Sequence, residues 1–244
     1  MLFTSCVPLF MILSGYLMIN KPLSKTHYAK GMKIVWIYLL ASLACMVYSL
    51  YICNRSGFTL STPSAKSIES MWWGILSYRT APYSWYIEMY FGLYLLIPFL
   101  NILYNHLPSR GWKRVLILSL FVMSSLPSIL NANDFITGGW LSNPSLSTNY
   151  QKLIPSWWGG IYPLTYYFIG AYLREYGVSL SKLWLTILTV ASIGIAVLYH
   201  LWRADGRAFP WGTWNDWCSP FALIKRMLLA PRRTRDNFRF SIAL

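Results

Sequence analysis

Long apolar runs alternate along this chain with shorter polar stretches that hold most of its charge. A helix that crosses a bilayer needs about 20 mostly apolar residues, at about 1.5 Å of rise each. Runs of this kind lie near 2–19, 34–53, 85–104, 115–130, 160–173, 183–202 and 218–230. Those at 34–53, 85–104 and 183–202 meet the length requirement outright. The runs at 115–130 and 160–173 are short, and the last gives way to basic sequence after about 13 residues. The pattern predicts an all-α fold, a polytopic bundle of transmembrane helices with about seven spans.

The loops between these runs fall into two sets. One holds Lys21, Lys25, Lys30 and Lys33, then Arg110, Lys113 and Arg114, then Arg174 and Lys182, then the basic stretch from Lys225 to Arg239. It carries 15 of the 21 Lys and Arg residues. The other set (54–84, 131–159 and 203–217) is longer and carries six. Basic loops stay on the cytoplasmic side, so the first set is read as inner. A membrane domain then covers 1–230, with a basic cytoplasmic tail at 231–244. Eight of the 13 tryptophans, Trp72, Trp73, Trp157 and Trp158 among them, fall in the outer set. They suit either an interfacial aromatic belt or stacking against a sugar.

Composition agrees with this reading. The chain is 56% hydrophobic and only 11% charged, whereas a soluble domain is about a quarter charged. Its net charge of +14 would suggest nucleic acid in a soluble protein. In a membrane protein it records Lys and Arg flanking the spans, and no nucleic-acid partner is expected. Cys6, Cys45, Cys53 and Cys218 show no metal-site or disulfide spacing and are read as core residues. His27, His106 and His200 form no ligand pair, so no metal site is expected.

Of the seven acids, Glu88 is the only one placed inside a span. Pro82 and Ser84 mark the start of that span, which puts Glu88 one to two turns below the outer surface. At 100° per residue Tyr83, Tyr86, Tyr90 and Tyr94 share one face, and Glu88 shares the opposite one with Ser84 and Gly92. Small residues mark faces where membrane helices approach closely, so Glu88 is expected to point into the bundle. An intramembrane carboxylate costs about 2.5–3.5 kcal/mol on insertion scales and is a functional candidate for that reason. The alternative is an acid merely tolerated near a helix N-terminus.

Three stretches, VPLFMILSGYLM (7–18), SWYIEMYFGLYLLIPFLN (84–101) and WWGGIYPLTYYFIGAYLREY (157–176), resemble in order segments of the bacterial integral-membrane acyltransferase-3 family. Members of that family O-acetylate surface polysaccharides. The resemblance implies a bundle of about ten helices in the bacterial inner membrane. It also implies acyl-CoA as donor substrate, with no bound cofactor, and a glycan hydroxyl as acceptor. Lys30 and Lys33 stand where the family has arginines assigned to acyl-CoA handling. They would attract its phosphates as point charges, without the guanidinium fork, although ordinary flanking of a span explains them equally. Trp85 and Tyr86 would shape a pocket around Glu88, or anchor the helix in the interface. Ser14 and Gly15 are read as packing residues.

The family's catalytic histidine lies in a helix ahead of the first stretch and has no counterpart in the sequence. The topology also puts Met1 outside, at the start of a span. The sequence reading therefore expects a chain incomplete at both ends, which inserts in membranes and does not turn over alone. Glu88 is then a supporting residue, not the general base. The competing classes are a non-catalytic truncated membrane protein and, less favoured, a transporter. The paired Gly/Pro-broken helices of a transporter repeat are not evident.

Overall fold

Backbone N–H and C=O groups inside a bilayer must be satisfied within their own segment, which selects helices. Helices are the only regular structure of the computed structural model among its described residues, 6–48, 68–78, 84–130, 154–177, 181–204 and 219. In chain order they are α1 (Cys6–Met18), α2 (Lys25–Tyr48), α3 (Ile68–Leu76), α4 (Ser84–Asn105), α5 (Arg110–Leu130), a 3₁₀ turn (Ser156–Ile161), α6 (Tyr162–Tyr176) and α7 (Lys182–Ala204). By length and composition α2, α4 and α5 can cross a membrane, and Val7–Met18 and Thr186–Trp202 are shorter apolar helices. The fold is all-α and of the transmembrane kind.

Two differences from the expected spans have local causes. Helix α2 begins at Lys25, well before the apolar run, because the Ser24 hydroxyl accepts the His27 backbone N–H at 3.2 Å and caps the first turn. Helix α3 and the 3₁₀ turn fall in stretches read as outer loops, where both are too short to register as spans. Ser219 apart, the expected 218–230 span and the 231–244 tail lie outside the described residues. Cys45, read as a core residue, is exposed. The buried positions of α2 are His27, Gly31, Tyr38, Ser42 and Met46, and Cys45 sits one residue off that stripe.

The chain divides into two units, Met1–Asn20 with Tyr104–Leu244, and Lys21–Leu103. In the first, α6 is the central helix, buried from Thr165 through Ala171. Its first turn holds Pro163, where a missing N–H costs nothing. It ends at Gly177, whose φ of 67° lets its N–H reach back 2.9 Å to the Leu173 carbonyl. Helix α1 crosses α6 backbone to backbone. A Cβ on Gly15 would fall on the Tyr167 carbonyl, and one on Gly170 would fall on the Ile12 carbonyl. This is the small-residue contact by which membrane helices gain dispersion energy without a hydrophobic driving force. Ser14 turns its hydroxyl back to the Phe10 carbonyl at 2.9 Å, which satisfies it inside its own helix. Helix α5 runs antiparallel to α6, with Thr165 Oγ1 donating to the Leu120 carbonyl at 3.2 Å and Lys113 paired with Glu175 at the opposite end.

In the second unit, Tyr38, Met46 and Ile75 form a small core with Leu39, Tyr78 and Ile87 against it. The Tyr38 hydroxyl donates to the Ile75 carbonyl at 2.6 Å. Pro98, inside α4, has no N–H for the Tyr94 carbonyl four residues earlier. That freed carbonyl instead accepts His27 Nε2–H at 3.0 Å. The two rings stack at 4.2 Å and 9°, and Tyr94 OH donates back to the His27 carbonyl at 2.9 Å. Gly31 leaves the room this requires, since a Cβ there would come within 2.9 Å of the Tyr94 ring. Farther along, Asn101 Nδ2 donates to the Lys21 carbonyl at 2.8 Å.

Candidate functional site

The residues singled out in the sequence lie on α2 and α4. Lys30 and Lys33 are exposed on α2, to one side of the stripe on which His27 and Gly31 are buried against Tyr94. Trp85 and Tyr86 are half-buried in the first turn of α4, their rings edge to face at 6.1 Å, and Tyr86 continues onto Tyr90 at 6.0 Å. Glu88 is not where the small-residue argument places it. Its side chain is exposed, and Gly92, one turn on, has nothing within 4 Å of a built Cβ. The face of α4 that packs is the tyrosine face, with Tyr94 5% exposed. The freed carbonyl before Pro98 and the gap at Gly31 draw that face inward, and only Ser84 of the opposite face is buried.

Along α4, Tyr94 marks the depth of His27 and Gly31, and Glu88 lies about 9 Å nearer the helix start. The two lysines and the Trp85–Tyr86–Glu88 group are therefore held at different depths and do not form one cluster. Lys30 and Lys33 stand near the basic start of α2, both exposed. Glu88 and its two aromatic neighbours stand at the start of α4.

A second group, absent from the sequence reading except as flanking charge, joins the N-terminal turn of α5 to the C-terminal turn of α6. Lys113 Nζ donates to both oxygens of Glu175 at 2.8 Å. The same ammonium lies 4.5 Å from the centre of the Tyr104 ring. Arg110 Nε and Arg114 Nε both donate to the Tyr172 hydroxyl, at 2.9 and 2.8 Å. The Arg110 guanidinium also covers the Tyr176 ring at 4.6 Å. Arg174 reaches across to donate to the Tyr16 and Leu17 carbonyls at 2.6 and 3.1 Å, the terminal carbonyls that α1 cannot satisfy itself. Glu175 lies past the apolar run of its helix. Partial burial pushes its carboxyl up, but hydrogen bonds from Lys113 and Tyr176 and the Lys113 charge outweigh burial and hold it below its usual value.

The sequence signal for this second group existed in two halves, RxxKR opening one span and YxREY closing another. Each half reads alone as positive-inside flanking, and only the antiparallel pairing of α5 and α6 brings them together. His27 was likewise legible only through its partner, because the cue is Pro98, four residues after Tyr94. Among the described residues no three His, Cys, Asp or Glu side chains gather as a metal ion would require.

The alternation of basic and aromatic ends, the close α1–α6 crossing and the helical bundle are the setting for the comparison with known families. The model of the acyltransferase-3 family, an acyltransferase domain, matches residues 1–227. No curated protein and no solved structure matches the chain. The match runs from the first residue through nearly all of the apolar sequence, and it includes the three stretches around Gly15, Glu88 and Gly170. The chain belongs to the acyltransferase-3 family of membrane proteins.

Proposed function

We propose that the protein transfers an acyl group, acetyl in the simplest case, from acyl-CoA at its basic face to a hydroxyl of a cell-surface glycan. The observation that carries this reading is the family match over residues 1–227. The segregation of 15 of the 21 basic residues to one set of loops supports a cytoplasmic donor face. In the reaction a base takes the proton from the acceptor hydroxyl. Its oxygen forms a bond to the acyl carbon, the carbon–sulfur bond breaks, and the released thiolate is protonated. Polar groups hold the oxyanion of the tetrahedral intermediate between these steps.

Within this scheme Lys30 and Lys33 attract the donor's phosphates, and both are exposed and free to do so in water. Glu88, near the opposite end of its helix, accepts a hydrogen bond from the acceptor, with Trp85 and Tyr86 as the stacking surface beside it. Glu88 supports the chemistry and is not the general base.

The test is acyl transfer by membranes carrying the complete gene product, given labelled acetyl-CoA and a polysaccharide acceptor. Glu88→Gln keeps shape but loses a charge-assisted hydrogen bond, a difference of about 1.5–3 kcal/mol, so transfer should fall about tenfold or more at unchanged expression. Equal transfer by the variant would return Glu88 to a tolerated interfacial acid. No transfer by the wild type would refute the proposed activity.

A further inference from the structure

We propose that Arg110 and Arg114, gathered on the Tyr172 hydroxyl, form a binding site for a phosphate group. Two arginines four residues apart on one helix repel each other, yet here both direct their Nε to one oxygen. Their Nε atoms can be no farther apart than those two bonds laid end to end. The one carboxylate at this end of α6, Glu175, is occupied at both oxygens by Lys113. Among the described residues neither arginine is paired with a carboxylate. Flanking charge that only orients a helix needs no such arrangement, since a solvated Arg on a flexible stem does that work equally well.

The arrangement brings two exposed guanidiniums together on one oxygen through their Nε atoms. Each is a planar fork that matches phosphate oxygens two at a time. With its Nε used on Tyr172 and, for Arg110, one face covered by the Tyr176 ring, the fork is held before a ligand arrives. Holding it in advance lowers the ordering cost of binding. Two such forks suit a group with two charges and several oxygens better than a single carboxylate. Trp112, 58% exposed in the same helical turn, puts the site at the level where tryptophan rings mark the bilayer interface. Lipid head-group phosphates lie at that level. The phosphates of a soluble donor also approach there, and this second source rests on the acyl-CoA reading above.

The experiment is binding to the purified full chain in neutral detergent. One arm offers phosphatidylglycerol against phosphatidylcholine and reads retained lipid by native mass spectrometry. The other offers inorganic pyrophosphate and coenzyme A by equilibrium dialysis. Arg110→Gln with Arg114→Gln should weaken one or both by about tenfold or more. Arg110→Lys with Arg114→Lys should recover only part, because it keeps the charge and loses the forks. Tyr172→Phe should weaken binding several-fold by releasing them. Arg232→Gln with Arg233→Gln, also removing two charges, should change nothing. Loss confined to the lipid arm assigns the site to a head group, and loss in the dialysis arm assigns it to a soluble phosphate. Equal binding of every probe by the wild type and the double Gln variant would overturn the proposal. So would full recovery in the double Lys variant, since point charge alone would then suffice. The readout needs no turnover, so a catalytically silent preparation would count against acyl transfer and not against this site.

Discussion

Gly15→Ala is the most direct test of the packing that positions α6. In an open helix this change is favourable by about 1 kcal/mol, because alanine is the better helix former. At position 15 the new methyl would fall on the Tyr167 carbonyl, a backbone atom that no rotamer change can move. Either α1 and α6 separate or the helices shift, and overpacking of this kind costs about 1–3 kcal/mol or more. Separation also weakens the crossing around Gly170, whose own Cβ position is filled by the Ile12 carbonyl. Set against that gain, the net expectation is a loss of up to about 2 kcal/mol, or up to roughly 4–8 °C for a chain of this size. The assay is thermal loss of the monodisperse peak of a fluorescent fusion in detergent. Gly194→Ala is the control, because a Cβ there meets nothing within 4 Å and the helix-forming gain should remain. If Gly15→Ala proved as stable as Gly194→Ala, the close α1–α6 crossing would be wrong.

The remaining predictions concern three other contacts. His27→Ala strands the buried Tyr94 carbonyl at a cost of about 1–3 kcal/mol. Most of that cost should vanish in a Pro98→Ala background, where a restored N–H takes the same carbonyl. A double-mutant cycle in thermal stability checks this, and strict additivity would refute the link. The depressed Glu175 carboxyl contributes stability that is complete above its ordinary range and is lost as pH falls through its lowered value. Wild type should therefore lose more stability than Glu175→Gln on acidification below about pH 4.5, and parallel curves would contradict the pair's role. Since Glu175 is 40% exposed, the effect should be modest and weaken in salt. A cysteine introduced at position 110 should be labelled by an impermeant reagent only in inverted vesicles, and labelling in sealed cells would reverse the topology.

The helical, membrane-spanning character was legible because span length is set by the bilayer and read as a sum over many residues. The helix starting at Lys25 was not, since its first turn is polar and depends on one cap from Ser24. The inward face of α4 was misjudged for a comparable reason. The small-residue rule favoured Ser84 and Gly92, but a proline-freed carbonyl and a glycine on the neighbouring helix favoured Tyr94. Such pairings join residues 67 positions apart and leave no periodic trace. The small residues that do carry a helix crossing, Gly15 and Gly170, lie in stretches that the family resemblance had already picked out. Arg110, Arg114 and Tyr172 were in plain view as single residues, and their convergence was visible only in the fold.

The central claim, transfer from a donor on the basic face to an acceptor beyond the membrane, is tested most directly in sealed vesicles of known orientation that carry the complete gene product. Labelled acetyl-CoA, which does not cross the bilayer, is supplied outside, and label is measured on a polysaccharide acceptor. The account predicts transfer when the helix starts that hold Lys30 and Arg110 face the donor, and little above background in the opposite orientation. Equal transfer in both orientations, transfer only from the tryptophan-rich face, or none in either would contradict it.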